Sequence, residues 1–357
     1  MHIPDGYLGP ATCATTYVGM VPVWATAARK VKQTLRLRQA PLLALAAAYC
    51  FVIMMFNVPI PGGSTGHAVG AVLVAVLFGP WAAVMVVSLA LCVQALLFGD
   101  GGITAFGANC LTMGTVMPFC GWGIYRVLLG WRAVGERRRW LAAAIGGWLG
   151  LSAAAVVAGF LFGIQPLLAH DAAGHPLYCP FGLRIAVPAM AIEHFFVFGI
   201  VEAIATGAVV AWLQRNAPEV FEAQAERAET ALHRAVPRLA AALGVLVILT
   251  PLGLIVPSVF KAGDAWGEWD SKELAEQVAK ATGDEHATAP AGMVSAEEHG
   301  YKGLMPDYNL PGGDEAPLTR KSLAYILSGA IGVLMVGGAL LVLRRAVTGG
   351  EPSDVRS

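Results

Sequence analysis

Nine apolar stretches run through this 357-residue chain, at about 12–28, 41–58, 68–79, 81–98, 104–128, 140–165, 185–213, 238–257 and 323–343, and nothing else constrains its fold so tightly. A helix needs roughly 20 apolar residues to cross a bilayer, where no water is present to satisfy exposed backbone groups. A chain built this way is expected to be all-α: a polytopic helical bundle in a lipid bilayer, with about seven core spans and two more near the C-terminus. Composition agrees, because 56% of the residues are hydrophobic and 13% are charged, where a soluble domain carries about 25% charge. The formal net charge of zero leaves no basic field for nucleic acid. Residues 1–12 lack the basic start of a cleavable signal. Six scattered cysteines with no CxxC spacing read as small core residues.

Lysine and arginine set the expected orientation, since short cytoplasmic loops are enriched in them. Arg29, Lys30, Lys32, Arg36 and Arg38 fill one loop, and Arg126, Arg132, Arg137, Arg138 and Arg139 another. Arg215, Arg227, Arg234 and Arg238 flank a third, and Arg344 and Arg345 close the last span. Gly79-Pro80 divides the longest apolar run, either as a tight hairpin or as a full span with a short re-entrant arm. If 68–79 and 81–98 count separately, all four clusters fall on the cytoplasmic side and the N-terminus lies outside. Merging the two pieces puts the 126–139 cluster outside, against the charge rule.

An external N-terminus makes Met1-His2 the chemical focus. The α-amine of Met1, the peptide nitrogen of His2 and its ring nitrogen can close two fused chelate rings around one ion and leave a fourth corner empty. Such a nitrogen set suits Ni(II), Cu(II) and Co(II) rather than the oxygen-seeking Mg(II) and Ca(II). Ile3-Pro4-Asp5-Gly6-Tyr7 can turn this tail back onto the protein, because Pro fixes one backbone angle and Gly frees another. The Pro- and Gly-rich segment 59–66 puts His67 at the mouth of the next helix, where a neutral imidazole can fill the fourth corner. Asp100, in the short turn Phe98-Gly99-Asp100-Gly101-Gly102, can either fix the tautomer of a metal-bound histidine or cap the helix starting near Ile103. Asn109 can clamp loop backbone or meet a ligand histidine. Glu193, His194 and Glu202 read as interhelical hydrogen-bond partners, because adjacent helical residues point about 100° apart and cannot share an ion. No HExxH, GxSxG or GxxxxGK[ST] sequence is present to support a metalloprotease, a hydrolase or a nucleotide site.

Three motifs resemble one family: Met1-His2-Ile3-Pro4-Asp5-Gly6-Tyr7-Leu8, Ser64-Thr65-Gly66-His67, and Leu97-Phe98-Gly99-Asp100-Gly101-Gly102-Ile103-Thr104-Ala105 with Gly107-Ala108-Asn109. Together they are similar to CbiM and NikM, the substrate-capture components of energy-coupling factor (ECF) transporters for cobalt and nickel. The resemblance covers about 1–213. It implies that Met1, His2 and His67 bind the ion, with Asp100, Asn109, Ser64 and Thr65 as supporting candidates. It also implies a transmembrane coupling subunit and cytoplasmic ATPase subunits as partners, and a place in the cell membrane of a bacterium or archaeon. The cargo is then Ni(II) or Co(II), with no permanently bound cofactor and no enzymatic activity in this chain.

Residues 238–345 resemble NikN, the small two-span partner of such systems, through Ala265-Trp266-Gly267-Glu268-Trp269 and Pro306-Asp307-Tyr308-Asn309-Leu310-Pro311-Gly312. Residues 214–237 then form a cytoplasmic linker and 346–357 a cytoplasmic tail. The external segment 258–322, with twelve acids, six bases, His286 and His299, is expected to dock on the membrane body. Two other classes compete: a membrane enzyme using His194, Glu193 and Glu202, which lacks a recognisable motif, and a stand-alone secondary carrier, which lacks an evident two-fold repeat.

Overall fold

A computed structural model describes residues 1–34, 40–60, 64–130, 138–221, 225–260, 271–282, 288–310 and 316–348. Helices dominate. The N-terminal part contains α1 (Pro10–Thr34), α2 (Ala40–Met54), α3 (Ala71–Phe78), α4 (Pro80–Val93), α5 (Phe106–Asn109), α6 (Met117–Gly130), α7 (Arg139–Gly163), α8 (Gln165–Leu168), α9 (Leu183–Glu193) and α10 (Gly199–Asn216). The C-terminal part contains α11 (Ala225–Leu249), α12 (Leu252–Phe260), α13 (Ser271–Thr282), α14 (Ala291–His299) and α15 (Leu318–Thr348). A two-stranded antiparallel hairpin, β1 (Val58–Ile60) with β2 (Ser64–Gly66), is a small addition that the apolar runs do not announce.

Among the described residues, five helices are long and apolar enough to cross a membrane: Pro80–Phe98, Arg139–Leu168, Leu183–Asn216, Thr230–Val259 and Leu318–Leu340. The protein is a multi-pass membrane protein. The remaining apolar runs form helices that fall short by length or composition. Helix α1 is diluted by Thr12, Thr15, Thr16 and Thr26 and by its basic end, α2 has 15 residues, and α3 has only eight. Helix α3 is short but buried over most of its length. It begins just after His67, and its last residues, Leu77 and Phe78, pack against Leu42 and Leu213 beside the basic loops. Gly79, at φ 88°, then reverses the chain, and Pro80 opens α4 at a position where its missing N–H costs nothing. The apolar run is thus divided at Gly79-Pro80 into the short α3 and the longer stretch Pro80–Phe98.

Arg139 donates to the Tyr125 hydroxyl at 2.8 Å and lies over the Phe221 ring, and Arg234 meets Glu219 at 3.4 Å. Glycines let helices touch within this chain. At Gly146 an added Cβ would stand 2.6 Å from the Gly121 carbonyl oxygen, so α6 and α7 meet backbone to backbone. Of the six cysteines, none is disulfide-bonded. Cys120 is exposed, unlike the core role expected of it. Helix α11 continues through Pro237 without a break, so the segment expected as a linker merges with the following span.

Part of the C-terminal insertion docks on the membrane body. Gly292 N–H donates to Leu177 O at 2.8 Å, and Leu304 and Met305 N–H both donate to Leu97 O at 2.8 Å. Trp266, Trp269 and His286 lie outside the described residues.

Candidate metal centre

The first nine residues are threaded into the bundle and held by side chains from distant positions. Asn109 Oδ1 accepts from Ile3 N–H at 2.8 Å, and its Nδ2 donates to Ile3 O at 3.0 Å. Ile3 O also accepts from Gly102 N–H at 2.9 Å. Asp5 accepts from Ile103 N–H at 3.2 Å, from Thr104 N–H at 2.8 Å and from the Thr104 hydroxyl. Gln165 Oε1 accepts from Gly9 N–H at 2.9 Å. Gly6 is at φ +82°, and an added Cβ would lie 2.8 Å from Gly292 O and 2.9 Å from Met293 Cα of α14. Both its angle and its space require glycine. Met1 is 2% exposed and Ile3 is fully buried, so the tail is a structural element of the core.

This burial brings His2 to His67. Their rings stack with centroids 4.6 Å apart and planes inclined by 28°. His67 is fully buried just ahead of α3. Its Nδ1 lies 3.0 Å from Ala68 O, so that nitrogen carries the proton, and Nε2 is left buried with no partner. Burial first, then the nearby charges of the Met1 amine, His2 and His194, push its pKa well below the ordinary 6.5. A neutral imidazole with a bare Nε2 is the form that binds a metal. Glu202 holds the start of α3 from across the bundle, accepting from Val69 N–H at 2.8 Å and Gly70 N–H at 3.0 Å.

Asp100 is not a helix cap, because Asp5 takes the Ile103 and Thr104 N–H groups. Its Oδ1 stands 2.9 Å from His2 Nδ1, a close polar contact out of line for a good hydrogen bond. Burial raises the Asp100 pKa, but the His2 ring, the Tyr308 hydroxyl and the Met1 amine outweigh it, and the carboxyl ends below its usual range. His2 Nε2, like that of His67, has no partner. Asp100 sits at the end of a π-helical turn, Gln94–Phe98, which lets the backbone swing inward and is a frequent mark of functional sites.

His194 differs from its expected role, since Nδ1 contacts Met190 O at 2.8 Å on its own helix and Nε2 is buried and unpartnered. Glu202 does act between helices. The strand backbone at Ser64 and Thr65 is described, but their side chains lie outside the described set. Sequence reasoning missed Tyr308, Gln94 and Asp5 as neighbours of the site. Only the Asp5 spacing ahead of a glycine hinted at such a turn. No group of three or more His, Cys, Asp or Glu gathers as a metal cage among the described residues. Tight binding here would have to recruit main-chain nitrogen and the terminal amine.

Comparison with known proteins reaches the same region. The family model for CbiM, "cobalt uptake substrate-specific transmembrane region", matches residues 2–220. This chain belongs to the CbiM family. In this CbiM-family chain, residues 238–348 additionally match the PDGLE domain. The fused nickel transport protein NikMN of Rhodobacter capsulatus is 47% identical over 94% of this chain and 95% of its own length. The probable fused nickel transport protein LarMN of Lactiplantibacillus plantarum is 45% identical over 96% of this chain and 97% of its own. A truncated transition metal transporter of known crystal structure is 52% identical, with a TM-score of 0.58, over 60% of this chain and 99% of that one.

Proposed function

We propose that this chain is the metal-capture membrane component of an importer for Ni(II), with Co(II) as the competing cargo. In this reading the N-terminus faces the outside of a bacterial or archaeal cell membrane and nine passes place the basic loops in the cytoplasm. Residues 1–213 form the capture domain, 214–237 the linker, and 238–345 the NikN-like part. A transmembrane coupling subunit and cytoplasmic ATPases, as in ECF transporters, supply the energy. The observation that carries the reading is the burial of Met1 and His2 against the bare Nε2 of His67. The nickel names of the NikMN and LarMN relatives support the choice of cargo.

Within this proposal the ion takes the Met1 amine, the His2 amide nitrogen, His2 Nδ1 and His67 Nε2 in a near-square-planar set. Only Nδ1 is close enough to its own backbone to share an ion with the amide nitrogen. Because Nδ1 stands at Asp100, the ring turns about its Cβ–Cγ bond as the ion enters, and Nε2–H takes over the carboxylate. Binding releases protons from the amine and the amide, so affinity falls as pH drops.

One experiment tests the donor set. An extra residue before Met1 displaces the amine and leaves the helices unchanged, so Ni(II) affinity in isothermal titration should fall by more than about 100-fold. Unchanged affinity would refute the chelate. Metal uptake by cells that express this chain without ATPase subunits would favour the stand-alone carrier instead.

A further inference from the structure

The C-terminal part reaches into the proposed metal centre through one side chain. Tyr308 Oη donates to Asp100 Oδ2 at 2.5 Å, while the other oxygen of that carboxylate faces His2 at 2.9 Å. We propose that Tyr308 is a positioning residue of the metal centre: its hydroxyl fixes the Asp100 carboxylate, and the carboxylate in turn orients the His2 ring. The inference rests on reading Met1, His2 and His67 as the donors.

The hydroxyl has one role open to it. Gln94 Nε2 donates to it at 2.9 Å, which occupies its acceptor side and leaves its own hydrogen for Asp100. A carboxylate gripped on one oxygen presents the other at a fixed angle, whereas an ungripped one rotates and lets the imidazole turn with it. Packing alone does not explain the hydroxyl. The phenol ring is 4% exposed and stacks on Phe98 at 4.7 Å, with Tyr325 at 5.2 Å and Phe51 at 6.4 Å, contacts that a phenylalanine would make equally well.

The backbone is bent to deliver this side chain. Asp307 and Tyr308, at φ 49° and 61°, are the non-glycine residues at positive φ among those described, a conformation that L side chains disfavour and that persists where the surroundings enforce it. Those surroundings are visible. The Ser328 hydroxyl donates to Tyr308 O at 2.8 Å, and Leu304 and Met305 are bound to Leu97 O, in the π-helical turn that leads to Asp100. Gly303 lies against Gly99, so close that a Cβ at 303 would stand 2.6 Å from the Gly99 nitrogen. Segment 301–309 and turn 94–100 therefore form one unit, and the NikN-like part completes the capture site.

The test is a double-mutant cycle on the purified full-length protein, with Ni(II) titrated into wild type, Tyr308→Phe, Asp100→Asn and the double variant. Tyr308→Phe should weaken binding by about tenfold, as loss of a carboxylate partner behind a ligand histidine does. It should also shift the ligand-field absorption bands of the bound Ni(II), and the double variant should bind no more weakly than Asp100→Asn. Wild-type affinity and spectrum in Tyr308→Phe, or tighter binding, would overturn the positioning role. So would effects that multiply in the double variant, and this criterion holds even if Tyr308→Phe lowers the melting temperature, because general loosening multiplies with the Asp100 change. If wild type itself fails to bind, or binds equally well with a residue added before Met1, the donor reading falls and the proposal with it. If both controls behave and Tyr308→Phe is silent, the proposal alone falls.

Discussion

Two segments enter the same end of the helical bundle: residues 1–9 at the start of the chain and residues 301–309 near its end. The first is held by Asn109 and Gln165, whose side chains reach its backbone, and by its own Asp5, which accepts from the N–H groups of 103 and 104. The second is held largely by main-chain bonds to Leu97 and by a buried aromatic stack. The difference separates two ways of anchoring a segment. A segment pinned by a few polar side chains is sensitive to single substitutions, whereas one pinned by backbone and rings tolerates loss of any one bond.

Four measurements would break or sharpen that contrast. Asn109→Leu leaves the buried Ile3 N–H without its acceptor, which costs about 3 kcal/mol of N-terminal docking and should reduce Ni(II) affinity roughly a hundredfold by titration calorimetry. An effect under threefold would show that the tail does not depend on its clamp.

Acid should act on the N-terminal cluster next. Folded His67 stays neutral, but the unfolded chain protonates it below its ordinary 6.5, so the unfolded state binds more protons. Stability is flat above pH 6.5 and falls as pH drops through it, by about 2 kcal/mol at pH 5 at 1.36 kcal/mol per unit. Asp100, whose pKa is lowered, adds a further loss only below the usual carboxylate range near 3.8. Melting curves of the protein without added metal, from pH 7.5 to 5, read this directly, and His67→Gln should reduce the fall between pH 6.5 and 5 by about that amount.

Asp5→Ala removes three bonds at a partly exposed turn, so about 1.5 kcal/mol and roughly tenfold in Ni(II) affinity are expected from the same titration. Tyr301→Phe is the mildest. Its exposed hydroxyl donates to Leu96 O at 2.8 Å, and removing it should change melting by about 0.5 kcal/mol or less and leave Ni(II) affinity within twofold. A large loss there would erase the distinction between the two segments.

The sequence carried the helical class and the division at Gly79-Pro80, because each depends on local composition. Met1-His2 and His67 could be singled out as candidates for the same reason, since their chemistry is local even though the meeting of the two rings is not. The pairing of 58–60 with 64–66 was not legible, because Pro and Gly there read only as a non-helical loop, whereas the shortness of the 68–79 piece was plain. Asp100 illustrates the boundary. Its position before Ile103 allows a cap, and only the arrival of Asp5 from 98 residues away removes that role.

What the sequence determined by itself is a multi-pass helical membrane chain with an amine and an imidazole adjacent at its start, because hydrophobic runs and residue chemistry act at short range. Tertiary structure decided that the tail is buried, that the His2 and His67 rings stack, and that a tyrosine 208 residues away grips the carboxylate beside them. Those outcomes depend on which helices pack together and on which buried polar atoms find partners, and both are settled by the whole molecule folding at once.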